Sequence, residues 1–149
     1  VNYCTLTDVQ GLITGFTITA TSTVSQDTVN NEIIPMYSRY IDDRLGKYYQ
    51  TPITGTNSLL TLNRIVKQLC AAEVVERVYI GQGPSDSIQS TTWRKQAEDD
   101  LTRLANGGII LTDAVPTGDT PQPMSVLIGD NLSQATRQTP PAFSMAQRF

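Results

Sequence analysis

The residue types that do chemistry are sparse in this chain, and the most useful one is missing. None of its 149 residues is a histidine, which removes the commonest general base, the commonest metal ligand and the usual partner of a Ser or Cys nucleophile. Carboxylates cluster twice, as Asp42 with Asp43 and as Glu98, Asp99 and Asp100. Successive residues of a helix point in different directions, so neither cluster aims two carboxylates at one substrate atom. Arg39 and Lys47 stand four residues either side of Asp43. The clusters therefore read as ion-paired, solvated faces in preference to catalytic or metal sites. Cys4 and Cys70 are far apart in sequence and offer neither metal spacing nor a disulfide framework, so both are expected as reduced thiols. IGQGPSDS, residues 80 to 87, has two glycines but lacks the third glycine, the Lys and the preceding strand of a phosphate loop. It reads as a helix stop. No catalytic, cofactor-binding or metal-ligating residue is assigned, and no cofactor or enzymatic activity is expected.

Aromatic and glycine signals receive the same treatment. Tyr37, Tyr40 and Tyr48 share the apolar face of one helix without interleaved basic residues, which favours core packing over base stacking. Trp93 opens a later helix, where its ring suits either the core or a subunit contact. In LTRLANGGIIL, residues 101 to 111, Asn106 or Gly107 can take the left-handed conformation that closes a helix, and Gly108 frees the chain to turn. Ile109, Ile110 and Leu111 are then expected to pack back on the body.

These residues need a scaffold, and composition bounds what it is. The length fits one domain. Charged residues are only 17 % of the chain, with Thr, Gln, Asn and Ser filling the difference, a polar uncharged surface suited to protein contacts. A net charge of -3 supplies no drive toward DNA or an acidic membrane surface. No apolar run approaches the roughly 20 residues of a membrane span, and the first residues lack the basic-then-apolar order of a signal peptide. A cytosolic chain is expected, with Val1 following a removed initiator Met.

Hydrophobic periodicity predicts an all-α bundle of about four helices over residues 1–111, followed by a long extended C-terminal arm over 112–149. The first helix spans Thr5 to Phe16, with Thr5 and Asp8 at capping-box spacing. TITATSTV, residues 17 to 24, reads as a loop. A second helix, capped by Ser25, carries Val29, Ile33, Met36, Tyr37, Tyr40, Ile41, Leu45 and Tyr48 on its period to about Tyr49, with a kink or break expected at Pro35. Pro52 and Gly55 mark a loop, and Ser58 is the expected cap of a broad-striped central helix to Ile80. Ser90 or Thr91 should cap the fourth, with a seam of Trp93, Ala97, Leu101 and Leu104 and charge pairs Arg94 to Glu98, Lys95 to Asp99 and Asp99 to Arg103. The arm holds Pro116, Pro121, Pro123, Pro140 and Pro141 and cannot form a core of its own. Its 38 residues, 112 to 149, reach roughly 120 Å when extended.

The order of these motifs resembles the head-to-tail connector, or adaptor, proteins of long-tailed bacteriophages, especially the Mu-like group. NYCTLTDV at 2 to 9, with Tyr3, Thr5 and Asp8, is similar to that family's opening. YIDDRLGKYYQTPI at 40 to 53 resembles its helix ending in Arg, Tyr and a loop proline, here Pro52. AEDDLTRLANGGIIL at 97 to 111, with Leu101, Ala105, Gly107, Gly108 and Leu111, looks like its Leu, Ala, Gly and terminal Leu pattern, and FSMAQRF at 143 to 149 like its aromatic-ended tail. The chain departs in its Thr-rich loop, its longer arm, and a tip without the usual acidic residue and glycine. The resemblance implies a ring of this chain, taken as twelve copies, at the neck of the virion, after assembly in the host cytoplasm. Its partners would be the portal protein and the next neck or tail protein, with DNA only as passing cargo and no membrane. Trp93, Phe143, Arg148 and Phe149 are the expected interface residues. A tail-terminator or stopper protein, and behind it a small DNA-binding regulator, are the alternatives.

Overall fold

The computed structural model describes residues 1–80 and 88–118, and these are all-α. Helix α1 (Leu6–Leu12) follows a complete capping box: Thr5 Oγ1 accepts the Asp8 N–H at 3.3 Å while Asp8 accepts the Thr5 N–H at 2.8 Å. The helix stops earlier than its apolar spacing predicts, at an extended Ile13, and the loop after it still buries Ile18 and Val24. Gln10 holds that loop by donating to the carbonyls of Ile13 and Phe16 and accepting from the Ile18 N–H.

Ser25 caps the next helix as expected, accepting the Thr28 N–H. From Gln26 to Leu45 the chain is one rod in three pieces: α2 (Gln26–Thr28), a π-helical turn (Val29–Ile33) and α3 (Ile34–Leu45). Pro35 causes no break in the helix. Its ring cannot donate to the preceding turn, and the wider turn before it, in which the Ile34 N–H reaches back five residues to the Val29 carbonyl, takes up the mismatch. Met36, expected on the apolar face, is instead exposed, because the wider turn shifts the phase of the stripe so that Ile33, Ile34 and Tyr37 face inward. The rod ends at Leu45, four residues before the expected Tyr49; Tyr49 is buried and pairs with Pro116 in an antiparallel bridge.

Helix α4 (Thr56–Tyr79) is the centre of the bundle, packed by α1, the rod and α5 (Ile88–Ala105). Its burial runs almost all round, through Leu62, Ile65, Val66, Leu69, Cys70 and Val74, and each large aliphatic side chain buried there stabilises the fold by about 1.5–3 kcal/mol. Helix α5 closes the bundle through Ala97, Leu101 and Leu104, with Trp93 half-buried against the core. It starts before the expected caps: Ser90 lies inside the helix and is buried.

Candidate functional site

The residues singled out from sequence gather mostly at one end of the bundle, where α4 begins and α5 ends. Tyr3 is fixed there by three hydrogen bonds. Its N–H donates to Ser38 Oγ at 3.1 Å, its hydroxyl donates to Asp42, and the same hydroxyl accepts the buried Ile53 N–H at 2.9 Å. Burial first, and then the hydrogen bond to the Asp42 carboxylate, push the Tyr3 hydroxyl up to about 12. The Ile53 N–H comes just after Pro52, whose peptide bond to Thr51 is cis, so Tyr3 ties the chain start to the loop between α3 and α4. Asn63 of α4 extends the lock by donating to the Tyr3 carbonyl at 3.2 Å and to Asp8 at 3.0 Å. The Thr5 hydroxyl and N–H, with Asn63, hold the Asp8 carboxyl below its ordinary range.

The start of α4 corrects the cap expected from sequence. Gly55 occupies the cap position and Ser58 lies inside the first turn. The exposed amides are satisfied by Asp113, which accepts the Asn57 N–H at 2.7 Å, the Ser58 N–H at 3.0 Å and the Ser58 hydroxyl. These bonds, the Ser58 hydroxyl foremost, hold the Asp113 carboxyl below its usual value. Gly55 is needed for space, not for backbone freedom: its φ is -64°, but a Cβ there would overlap the carboxyl group and the backbone of Asp113.

Gly107 and Gly108 act as the predicted helix stop. Gly107 has φ 75°, the Gly108 N–H donates to the Arg103 carbonyl at 2.8 Å, and the Gly107 N–H reaches the Leu104 carbonyl at 3.5 Å. Leu101 is buried and Ala105 half-buried within α5. Beyond the stop, Leu111 is buried and its N–H donates to the Tyr49 hydroxyl at 3.4 Å, and Ile109 is half-buried, whereas Ile110 is exposed, against expectation. The chain stays on the body past residue 111, where the arm was expected to begin. Besides the Asp113 cap, the Gln50 N–H donates to the Val115 carbonyl at 2.8 Å, the Thr117 N–H to the Tyr48 carbonyl at 3.0 Å, and the Thr117 hydroxyl to the Lys47 carbonyl at 2.7 Å.

A second polar cluster lies between the rod, α4 and α5. Arg94 donates to Glu76 at 2.7 Å, to Glu73 at 3.4 Å and to the Tyr37 hydroxyl at 3.3 Å, while that hydroxyl donates to Glu73 at 3.0 Å. Burial leads in pushing the Tyr37 hydroxyl up to about 12, against the pull of Arg94. Burial also opposes the charge on Glu73, but hydrogen bonds from Arg77, Tyr37 and Arg94 outweigh it and lower its pKa. Glu98 likewise reaches across, to Arg44 at 3.2 Å and to the Tyr40 hydroxyl at 3.1 Å. Arg94 and Glu98 thus bind other helices, not each other as their four-residue spacing predicts. The expected solvated face is in part an interhelical clamp. Cys4 and Cys70 are both free and buried; the Cys70 thiol donates to the Ile33 carbonyl at 4.0 Å, and the neighbouring Cys4 thiol, with burial, pushes it far up, which suits an inert thiol.

Sequence reasoning missed Asp42, Tyr49, Arg94 as a hub and Asp113 as a cap. The glycine where a capping Ser or Asp would be usual, at 55, was the one local hint that a distant side chain must serve α4. Among the described residues no group of three Cys, Asp or Glu could hold a metal ion, and no helix is long and apolar enough to cross a membrane. Phe143, Arg148 and Phe149, expected at an interface, lie outside the described residues, as does the helix stop expected after Ile80. No protein-family model, curated protein or solved structure matches this chain.

Proposed function

We propose that the chain is a structural virion protein: a head-to-tail adaptor that assembles as a ring between portal and neck, extends the DNA channel, and helps to retain and then release the genome. The carrying observation is the convergence of the motif residues. Tyr3, Pro52, Gly107, Gly108 and Leu111, distant in sequence, lie toward the end of the bundle that carries the last described residues, 112–118. With Tyr49 and Asp113 they hold 112–118, the stretch that leads into the Pro-rich C-terminal segment, on the body. A low-charge polar surface with a net charge of -3 accords with DNA that must slide past without sticking. Trp93, half-buried near the start of α5, is the interface residue of the body, and Phe143, Arg148 and Phe149 are those of the arm.

The test is removal of residues 139–149. The truncated protein should keep its helical circular dichroism and its unfolding midpoint yet fail to enter particles, and normal incorporation would refute the reading. Imaging of virions carrying the labelled protein should place it at the neck, and a label over the capsid shell would equally refute it. The tail-terminator or stopper reading is less well supported, since such proteins are typically richer in strand than this all-α body. A DNA-binding regulator would reveal itself through affinity that falls steeply with salt.

A further inference from the structure

The outer face of the rod carries a shallow open trough of roughly 460 Å³, lined by Asn31, Glu32, Pro35, Met36, Arg39 and Tyr40, with Asp43 at its rim. Its floor is apolar where a solvent-facing helix is ordinarily polar. Met36 is 46 % exposed, the one large apolar side chain exposed on the rod among the described residues, and Pro35 lies beside it. The π turn puts Met36 there by shifting it off the core stripe. Charges flank the floor, Glu32 three residues before Pro35 and Arg39 three residues after Met36. The body holds neither of them tightly. Arg39 makes no ion pair among the described residues, and Glu32, its side chain 68 % exposed, meets Arg77 only at 3.7 Å. An apolar centre with a charged rim is the anatomy of a protein contact surface.

The order of these residues is self-complementary. Counted from the midpoint between Pro35 and Met36, Glu32 and Arg39 stand at equal and opposite distances, and so do Asn31 and Tyr40. A half-turn of a second copy about an axis through that midpoint lays the two rods antiparallel. It sets Glu32 of each copy on Arg39 of the other and Met36 of each on Pro35 of the other. Each ion pair is thus made twice, about 5 Å along the helix on either side of the axis. Packed helices about 8–10 Å apart and crossing at about 20° keep both pairs within reach. Stacking the same faces in parallel would set Glu32 on Glu32 and Arg39 on Arg39, so charge selects the antiparallel arrangement. We infer that this face is a twofold contact between two copies of this chain. Such a contact closes on itself, so it pairs free molecules and does not by itself extend into a ring. The face runs from residue 31 to 43, about 18 Å of helix, which is small for a permanent interface. The dimer is therefore reversible. The inference concerns the free protein and does not rest on the adaptor reading.

Sedimentation equilibrium of the purified full chain over a range of concentrations tests it. The wild type should pass from monomer to dimer as concentration rises. Arg39→Glu sets Glu against Glu32 twice in each dimer and should weaken it by at least about tenfold, and Glu32→Arg should do the same. The double variant Glu32→Arg, Arg39→Glu restores both pairs in the reversed sense and should dimerise again. An equimolar mixture of the two single variants should form a one-to-one pair, because one carries only arginine and the other only glutamate at these two positions. Both side chains are exposed, so circular dichroism should stay helical in every variant. A wild type that remains monomeric at its highest soluble concentration would overturn the assignment. So would self-association, as a dimer or anything larger, that the single changes leave intact, or a loss that neither the double variant nor the mixture repairs.

Discussion

Replacing Tyr3 by Phe removes one hydroxyl and leaves the ring, and its effect can be worked from the contacts around that oxygen. The Ile53 N–H, on a residue only 1 % exposed, loses its acceptor, and a buried unsatisfied donor costs about 1–3 kcal/mol. The Asp42 carboxylate loses a donor too, but Asp42 is half-buried and water can replace the hydroxyl, so that loss lies toward the low end of the range for charged groups. The sum is about 2.5–4.5 kcal/mol, a large part of the 5–15 kcal/mol typical of a domain. Urea unfolding followed by far-UV circular dichroism should show a lower midpoint with an unchanged slope. A double-mutant cycle with Asp42→Asn should give a coupling of about 1 kcal/mol. The same hydroxyl predicts a pH effect. Its folded pKa is raised from 10.0 to about 12, so its contribution is complete below pH 10 and is lost as the pH rises through 12. The wild type should therefore lose more stability across that window than Tyr3→Phe, with Tyr37, also held up at about 12, and the likewise raised Tyr40 and Cys70 contributing to the fall that remains. A loss below about 0.5 kcal/mol, the range of an ordinary surface change, would refute the claim that Tyr3 locks the chain start to the loop at Ile53.

Gly107→Ala places a Cβ on a residue with φ 75° and should cost about 1 kcal/mol in urea unfolding, with Gly107→Asn costing less. Gly55→Ala should destabilise although the backbone at -64° accepts alanine, because the new methyl meets both the carboxyl group and the backbone carbonyl of Asp113; an Asp113→Ala background should relieve only part of that penalty, since the clash with the residue 113 backbone remains. Asp113→Asn should be less stable than wild type at neutral pH. The folded carboxyl titrates below its ordinary 3.8, so its contribution is present above that value and is lost as the pH falls through the lowered one, and thermal midpoints of the two proteins should converge in acid.

What was legible in the sequence was whatever local physics decides. Thr5 and Asp8 announce a capping box, Asn106, Gly107 and Gly108 a helix stop, and the α4 stripe a central helix, because each signal is repeated or completed within one or two turns. What was not legible depends on partners brought by the fold. Asp113 caps a helix that begins more than fifty residues earlier, so no spacing rule within α4 could find it, and Ser58, a good local candidate, is instead a donor to that cap. Arg94 sits four residues from Glu98, yet Glu73 and Glu76 on the facing helix satisfy it more directly. Pro35 signals a disturbance, but that it takes the form of a π turn, with Ile33 and Ile34 both buried and no break in the helix, depends on the packing around it.

The placement of these long-range contacts bears on mechanics. Tyr3, Asp113, Tyr49 and Thr117 each join segments far apart in sequence, and all act at the end of the bundle that carries the last described residues. A pull on the segment after Gly118 meets first the Thr117 bonds to Lys47 and Tyr48, then the Val115 carbonyl on Gln50, then the Asp113 cap, before any helix is disturbed. Load is thereby passed in turn to the end of the rod and to the start of α4. If bundle packing alone held the root, the helices would instead share the load through side chains that slide. The polar locks make 112–118 a fixed anchor, which is what the proposed adaptor role would need at the root of its C-terminal segment. Thr117→Ala combined with Asp113→Ala should therefore lower the force at which 112–118 peels from the body in a single-molecule pull, while leaving the force that unfolds the core unchanged. Equal loss at both steps would show that the locks belong to the core and do not form a separate anchor.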